Sequence, residues 1–287
     1  MAEALPTVHL NGEFLARDAA RISPFDRGFL YGDGIYEMIA CYGGELFRFD
    51  DHLARLERGL SEVRMTNPHD RAGWRELLER LVRENGNGDM NVYVQVTRGT
   101  RPERDHRFPA DPKPTVFAMC QPASAVSAAV LENGIAVISS KDTRWARCDI
   151  KASSLMANVL LRQAAEDAGA QETLLLRDGE ALEFSASTMF VVTDGKIRTT
   201  PNGNTILPGV TGIVVRELAA AVGFILEEAA IPEAMLHDAD EIWLASTTRE
   251  VLPVTLLDGA PVGSGKPGPL WRGIYTAFQD MKEREKA

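Results

Sequence analysis

Arg144-Trp145-Ala146-Arg147-Cys148-Asp149-Ile150-Lys151-Ala152-Ser153-Ser154 is the stretch on which the reading of this chain turns. It sets one lysine at the end of an extended, partly apolar run, immediately before a helix start. A lysine at such a junction can be held by the fold while its amine faces a cavity, where desolvation and neighbouring charge lower its pKa and make it nucleophilic. The same local sequence also describes a solvated surface lysine. The rest of the chain has to decide between the two.

Just downstream, Ser153 or Ser154 can cap a helix whose buried face is expected to be Leu155, Met156, Val159, Leu160, Ala164 and Ala168, ending at Gly169. Thr173-Leu174-Leu175-Leu176, the turn Asp178-Gly179, Ala181-Leu182-Glu183-Phe184, Met189-Phe190-Val191-Val192 and the turn Asp194-Gly195 then predict an antiparallel sheet built from hairpins. Leu207-Pro208-Gly209-Val210-Thr211-Gly212 opens another helix. Free N–H groups and the positive dipole end at such an opening suit a phosphate, and an ordinary loop-to-helix junction has the same appearance. A strand at residues 241–245 ends in Ser246-Thr247-Thr248, three hydroxyls that can gather around a phosphate.

Upstream, residues 7 to 49 read as short strands with hairpin signals at Asn11-Gly12 and Gly43-Gly44. Between them lies Asp26-Arg27-Gly28-Phe29-Leu30-Tyr31-Gly32-Asp33-Gly34-Ile35-Tyr36-Glu37, whose glycines allow tight turns but do not form a dinucleotide-binding fingerprint. Asp50 is placed to cap a helix with Leu53, Leu56, Leu60 and Val63 on one stripe and Arg55 at its flank, and Asp70 to cap a second, closed by Asn85-Gly86. Alternating valines in Asn91-Val92-Tyr93-Val94-Gln95-Val96-Thr97-Arg98 predict a strand. The loop after it, Gly99 to Pro109, carries Arg101, Arg104, His106 and Arg107, a set that can bind an anion such as a carboxylate or simply face solvent. Gln121-Pro122-Ala123-Ser124-Ala125 marks a domain boundary, giving residues 1–121, a linker at 122–130 and a second domain at 131–287.

The 287 residues suffice for two domains. A net charge of −10 argues against a nucleic-acid or anionic-membrane partner, because phosphate contacts need clustered positive charge. No apolar run approaches the length of a membrane span, and Met1 to Thr7 lacks a basic segment followed by a hydrophobic one, so a cytoplasmic protein is expected. Cys41, Cys120 and Cys148 lie far apart and are expected as reduced thiols; neither they nor the five histidines have metal-ligand spacing.

One lysine, one carboxylate and two phosphate-suited ends within a domain describe what pyridoxal phosphate demands: an amine for a Schiff base, a negative partner for the ring nitrogen and an anion cradle. At this point the chain resembles the fold-type IV pyridoxal-phosphate enzymes, above all the D-amino acid aminotransferases. The resemblance covers nearly the whole chain and is carried by Asp26-Arg27-Gly28 with Gly32-Asp33-Gly34-Ile35-Tyr36-Glu37, Gln95 to Thr100, Arg144-Trp145 with Arg147 to Lys151, and Ser246-Thr247-Thr248. It implies an α+β or α/β chain of two domains, the smaller N-terminal, with pyridoxal 5'-phosphate between them, in an obligate homodimer.

By that resemblance Lys151 binds the cofactor and moves the proton, and Glu183 pairs with the pyridine nitrogen. Arg55, Val210, Thr211 and Thr248 hold the phosphate, while Tyr36, Arg104 and His106 trap the substrate carboxylate, partly from the neighbouring subunit. The implied reaction takes the amino group of a D-amino acid, such as D-alanine or D-glutamate, to pyruvate or 2-oxoglutarate in a ping-pong cycle. Branched-chain L-amino acid aminotransferases, (R)-amine aminotransferases and aminodeoxychorismate lyase share the fold and the lysine and form the alternatives, with a non-catalytic cofactor-binding protein outside the enzymes. The chain departs from the pattern at Phe184, at Ser187-Thr188 where Ser-Asn is usual, and by one residue inserted before Arg104.

Overall fold

A computed structural model describes residues 5–285, and the N-terminal reading at Met1 to Thr7 therefore falls partly outside the described residues. The chain divides into two compact units, the first running to Ser124 and taking in Ile150–Leu155, the second holding Ala125–Asp149 and Met156–Glu283. Lys151 thus belongs to the first unit, although it lies beyond residue 131 in the sequence.

In the first unit the Asn11-Gly12 turn joins β1 (Thr7–Leu10) to β2 (Glu13–Ala16), with positive φ at both turn residues. The short helix α1 (Arg27–Tyr31) leads into β3 (Gly34–Tyr42), which turns back through β4 (Glu45–Leu46). Helices α2 (Phe49–Glu62) and α3 (Arg71–Glu84) come next, followed by β5 (Met90–Thr97) and β6 (Thr115–Pro122). The strands form one antiparallel sheet in the order β2-β1-β6-β5-β3-β4. Val92, Val94 and Val96 are fully buried on one face of β5 and join Leu53, Leu56, Leu60, Trp74, Leu78 and Ile150 in a single apolar core.

Asp70 caps α3 as expected, accepting from the Gly73 N–H at 2.8 Å. Asp50 does not cap α2: that helix starts earlier, after Arg48 in the left-handed region, and the Asp50 carboxylate pairs with Arg71 and Arg75 instead.

The second unit begins with α4 (Ala128–Asn133), β7 (Ile135–Lys141) and α5 (Met156–Asp167). Strands β8 (Glu172–Arg177), β9 (Glu180–Phe184), β10 (Thr188–Thr193) and β11 (Lys196–Thr199) follow. After α6 (Val210–Ala221) come β12 (Leu226–Glu228), β13 (Ile231–Pro232), β14 (Glu241–Ser246), β15 (Glu250–Leu257), β16 (Ala260–Pro261) and α7 (Pro269–Glu285). The predicted hairpins β8/β9 and β10/β11 are antiparallel, but the sheet is mixed, since β7 runs parallel to both β8 and β15 and β11 parallel to β12. Phe184 is fully buried in this unit's core with Leu174, Val191 and Leu244.

Helix α5 corrects the sequence-based face. It buries Leu161 and Ala165, while Met156, Val159 and Leu160 are 73%, 60% and 63% exposed. An apolar stripe read from spacing alone carries no label for what covers it. Ser153 does not serve that helix either, because its hydroxyl lies 3.0 Å from the Gly32 carbonyl and 3.2 Å from that of Gly34. Among the described residues no helix is long and apolar enough to cross a membrane, and all three cysteines are free and buried.

Candidate active site

Lys151 is held by backbone pairing to β3. The Tyr36 N–H donates to its carbonyl at 3.0 Å, the Ser153 N–H donates to the Gly34 carbonyl at 2.9 Å, and Ala152 forms a bridge with Ile35. Gly32 permits this approach: its φ of +67° is left-handed, and a Cβ there would stand 2.9 Å from the Ser154 Cβ. The result places the Lys151 ammonium 4.3 Å from the centroid of the Tyr36 ring. Tyr36 in turn packs against Tyr93, with ring centroids 5.6 Å apart.

Behind Tyr36, the alternation of β3 turns Glu37 to the opposite face, where it is 1% exposed. Its carboxylate accepts from Arg55 Nε at 2.7 Å and Nη2 at 2.8 Å, and lies 2.9 Å from His52 Nδ1. Burial alone would raise the Glu37 carboxyl, but the Arg55 guanidinium and His52 outweigh it and hold the group well below the usual carboxylate range. Burial lowers the His52 imidazole, and the cations of Arg55 and Lys151 add to that against the pull of Glu37. Arg55 is therefore a fixed cation, buried by an anion that sequence reading had not connected with it.

A third cluster of the first unit surrounds the cationic loop. The Tyr31 ring has the Arg104 guanidinium 5.2 Å and the Arg27 guanidinium 4.8 Å from its centroid, and the His106 ring 5.3 Å away. The Tyr31 hydroxyl is buried and has no hydrogen-bond partner among the described residues. Arg104 and His106 themselves are exposed. Tyr36 shares no hydrogen bond, ion pair or ring contact with Arg104 or His106 among the described residues, so within the chain these predicted trap residues form two groups.

In the second unit, Glu183 lies one residue before the end of β9 at 4% exposure. Arg144 Nη1 donates to its Oε1 at 2.5 Å, and the Leu207 N–H lies 3.2 Å from Oε1 and 3.3 Å from Oε2. Burial pushes the Glu183 carboxyl up to about 7, against the opposing pull of Arg144 and the Leu207 N–H. Arg144 is shared with Asp142, which it meets at 3.0 Å, and Asp142 also takes Arg177 at 2.7 Å. Sequence reading missed Arg144 as the partner of Glu183. An Asp-x-Arg spacing ahead of the lysine was its only trace, and the partner lies 39 residues away.

Val210 and Thr211 form the first turn of α6 behind Gly209, where N–H groups have no intrahelical acceptor. A Cβ on Gly209 would run into Thr188 Oγ1, so the departure at Thr188 packs directly beneath this helix opening. Ser246 ends β14 with a buried Oγ that has no hydrogen-bond partner among the described residues, and Thr248 is exposed in the turn that follows. First-turn N–H groups without an intrahelical acceptor, together with the Ser246 hydroxyl, are donor chemistry that fits a phosphate.

Among solved structures, the chain is similar to the branched-chain amino acid aminotransferase of Escherichia coli, with a TM-score of 0.89 and 25% identity over 97% of this chain and 94% of that one. A branched-chain amino acid aminotransferase from T.th., solved with pyridoxamine 5'-phosphate, gives a TM-score of 0.90 at 25% identity, covering 99% and 96%. The fold is that of the fold-type IV aminotransferases. The model of the family "Amino-transferase class IV" matches residues 34–257, and the chain belongs to that family. It is 39% identical over 280 residues to the D-alanine aminotransferase of Bacillus licheniformis, covering 98% of each chain. To the D-alanine aminotransferase of Staphylococcus aureus (strain MW2) it is 37% identical over 277 residues, covering 96% of this chain and 98% of the relative.

Proposed function

We propose that the chain is a pyridoxal 5'-phosphate-dependent aminotransferase that moves the amino group of a D-amino acid such as D-alanine or D-glutamate to pyruvate or 2-oxoglutarate. The observation that carries the reading is Lys151, a single amine presented by backbone pairing over the Tyr36 ring. Bound pyridoxal phosphate supplies an electron sink that withdraws electrons from the substrate Cα. Lys151 Nζ carries the cofactor and moves the proton at that carbon. Glu183, buried beside Arg144, would pair with the pyridine nitrogen of the bound cofactor and keep it protonated. Arg55, the Val210 and Thr211 N–H groups and Thr248 hold the phosphate.

Recognition of the substrate carboxylate falls to Arg104, His106 and Tyr36, which is what separates an amino acid donor from a simple amine. The D-specificity rests on the D-alanine aminotransferases to which the chain is 35–39% identical over nearly its full length. A homodimer is supported by exposed Met156, Val159 and Leu160 on α5, an apolar stripe suited to a second copy. Three free buried cysteines support a reducing, cytoplasmic setting.

The test is a donor screen with both enantiomers. Purified protein with pyruvate or 2-oxoglutarate should turn over D-alanine or D-glutamate faster than L-leucine or a carboxylate-free (R)-amine, and the reverse order would sink the substrate assignment. Borohydride reduction of the loaded protein should leave the cofactor's mass on the peptide containing Lys151. The Lys151→Ala protein should show neither that label nor turnover.

A further inference from the structure

The Asp26-Arg27-Gly28 segment has no part in the chemistry above, yet it touches both ends and the tip of the loop that carries Arg104 and His106. At the ends, Asp26 bridges to Thr100 and accepts from the Thr115 hydroxyl at 2.7 Å, and the Arg27 N–H donates to the Gly99 carbonyl at 2.9 Å. At the tip, the Arg27 guanidinium donates to three consecutive carbonyls: Asp105 at 2.6 Å, His106 at 3.2 Å and Arg107 at 3.3 Å. Its Nε is anchored on Asp33 at 2.7 Å, and the residue is 4% exposed. We infer that Arg27 is a positioning residue for substrate-carboxylate recognition, fixing the backbone of residues 105–107 so that Arg104 and His106 stand ready around Tyr31. The inference rests on the carboxylate role given to Arg104.

The geometry needs an arginine. A planar fork can serve three carbonyls and a carboxylate at once, whereas an ammonium has three donors on a flexible stem and cannot hold that plane. A loop fixed in advance loses less freedom when the substrate binds, so removing the anchor should weaken binding more than it slows the chemical step. Asp33 is not stranded by such a change, because Arg98 meets the same carboxylate at 2.9 Å and 3.0 Å. Arg98 also stacks on Phe108 at 3.8 Å, so the far end of the loop keeps its own contact.

The experiment compares Arg27→Met, Arg27→Lys and Arg104→Ala holoenzymes in steady-state kinetics with D-alanine and in hydrogen exchange of the peptide covering residues 103–109. Both Arg27 variants should raise KM about tenfold, the scale of one charge-assisted hydrogen bond, with kcat held within about threefold. The loop peptide should exchange faster in both, and Arg104→Ala should raise KM without faster exchange. Should Arg27→Met fail to fold, Arg27→Lys carries the comparison, since its ammonium still faces Asp33. Unchanged loop exchange, or unchanged KM in the Arg27 variants while Arg104→Ala raises it, overturns the positioning role and leaves the Arg104 reading standing. An unchanged KM in Arg104→Ala overturns both.

Discussion

Replacing Glu37 with glutamine removes one negative charge from the most enclosed ion pair near Lys151. Glu37 is 1% exposed and Arg55 9%, and two guanidinium nitrogens meet the carboxylate at 2.7 and 2.8 Å. A glutamine offers one acceptor oxygen and turns an NH2 donor toward a neighbourhood already made of donors, Arg55 and His52. The variant therefore keeps a buried cation without its anion, a loss of about 3–5 kcal/mol in the unloaded protein. Urea unfolding of wild type and Glu37→Gln at pH 7 should show that gap.

Its pH dependence follows from the sign of the shift. The folded-state pKa of Glu37 is depressed below its ordinary 4.5, so its stabilisation is present above that pH and is lost as pH falls toward the folded value. The gap between the proteins should narrow by about 1.4 kcal/mol for each pH unit below 4.5. Cofactor or inorganic phosphate should also narrow it, since an anion on Arg55 replaces part of what Glu37 supplied. A gap under about 1 kcal/mol at pH 7, or one that does not change with pH, refutes the reasoning.

Other consequences are open to measurement. Glu183 has the opposite sign: its folded pKa of about 7 lies above its ordinary 4.5, so its contribution is intact below pH 4.5 and up to about 3 kcal/mol of stability is lost as pH rises to 7. Glu183→Gln should lack that decline, and parallel stability-pH curves for the two proteins would contradict it. Gly209→Ala drives a methyl into Thr188 Oγ1 beneath the α6 opening, so it should cost about 1–3 kcal/mol and weaken cofactor binding in a fluorescence titration; unaltered affinity would argue against a phosphate there. Arg104→Ala should raise KM for D-amino acids by an amount matching about 1.5–3 kcal/mol, and an unchanged KM removes Arg104 from carboxylate recognition.

Local patterns carried much of the fold because they express local physics. Alternating valines on β5, the Asp70 cap of α3 and the Asn11-Gly12 and Asp178-Gly179 turns depend on neighbours a few residues away. The same kind of reading went astray at α5, where Met156, Val159 and Leu160 look like a core stripe but face outward. Spacing gives the stripe and says nothing of what it meets. Asp50 misled for a related reason, since a carboxylate near a helix start can cap it or pair with cations on the next helix, and Arg71 and Arg75 took it.

By itself, the sequence determined the chemistry at hand: one lysine ahead of a helix, a carboxylate on the second unit's hairpin, a helix opening suited to phosphate and a cationic loop after β5. Tertiary structure alone decided how those groups are governed. It tied Lys151 to β3 through Gly32, matched Arg55 to Glu37, set Arg144 on Glu183 and gave the loop its anchor in Arg27. These partners lie 18, 39 and 78 residues apart for the last three pairs. Groups so distant in the chain are brought together only by the sheets, and only burial there gives a pairing the strength to set a pKa or hold a loop.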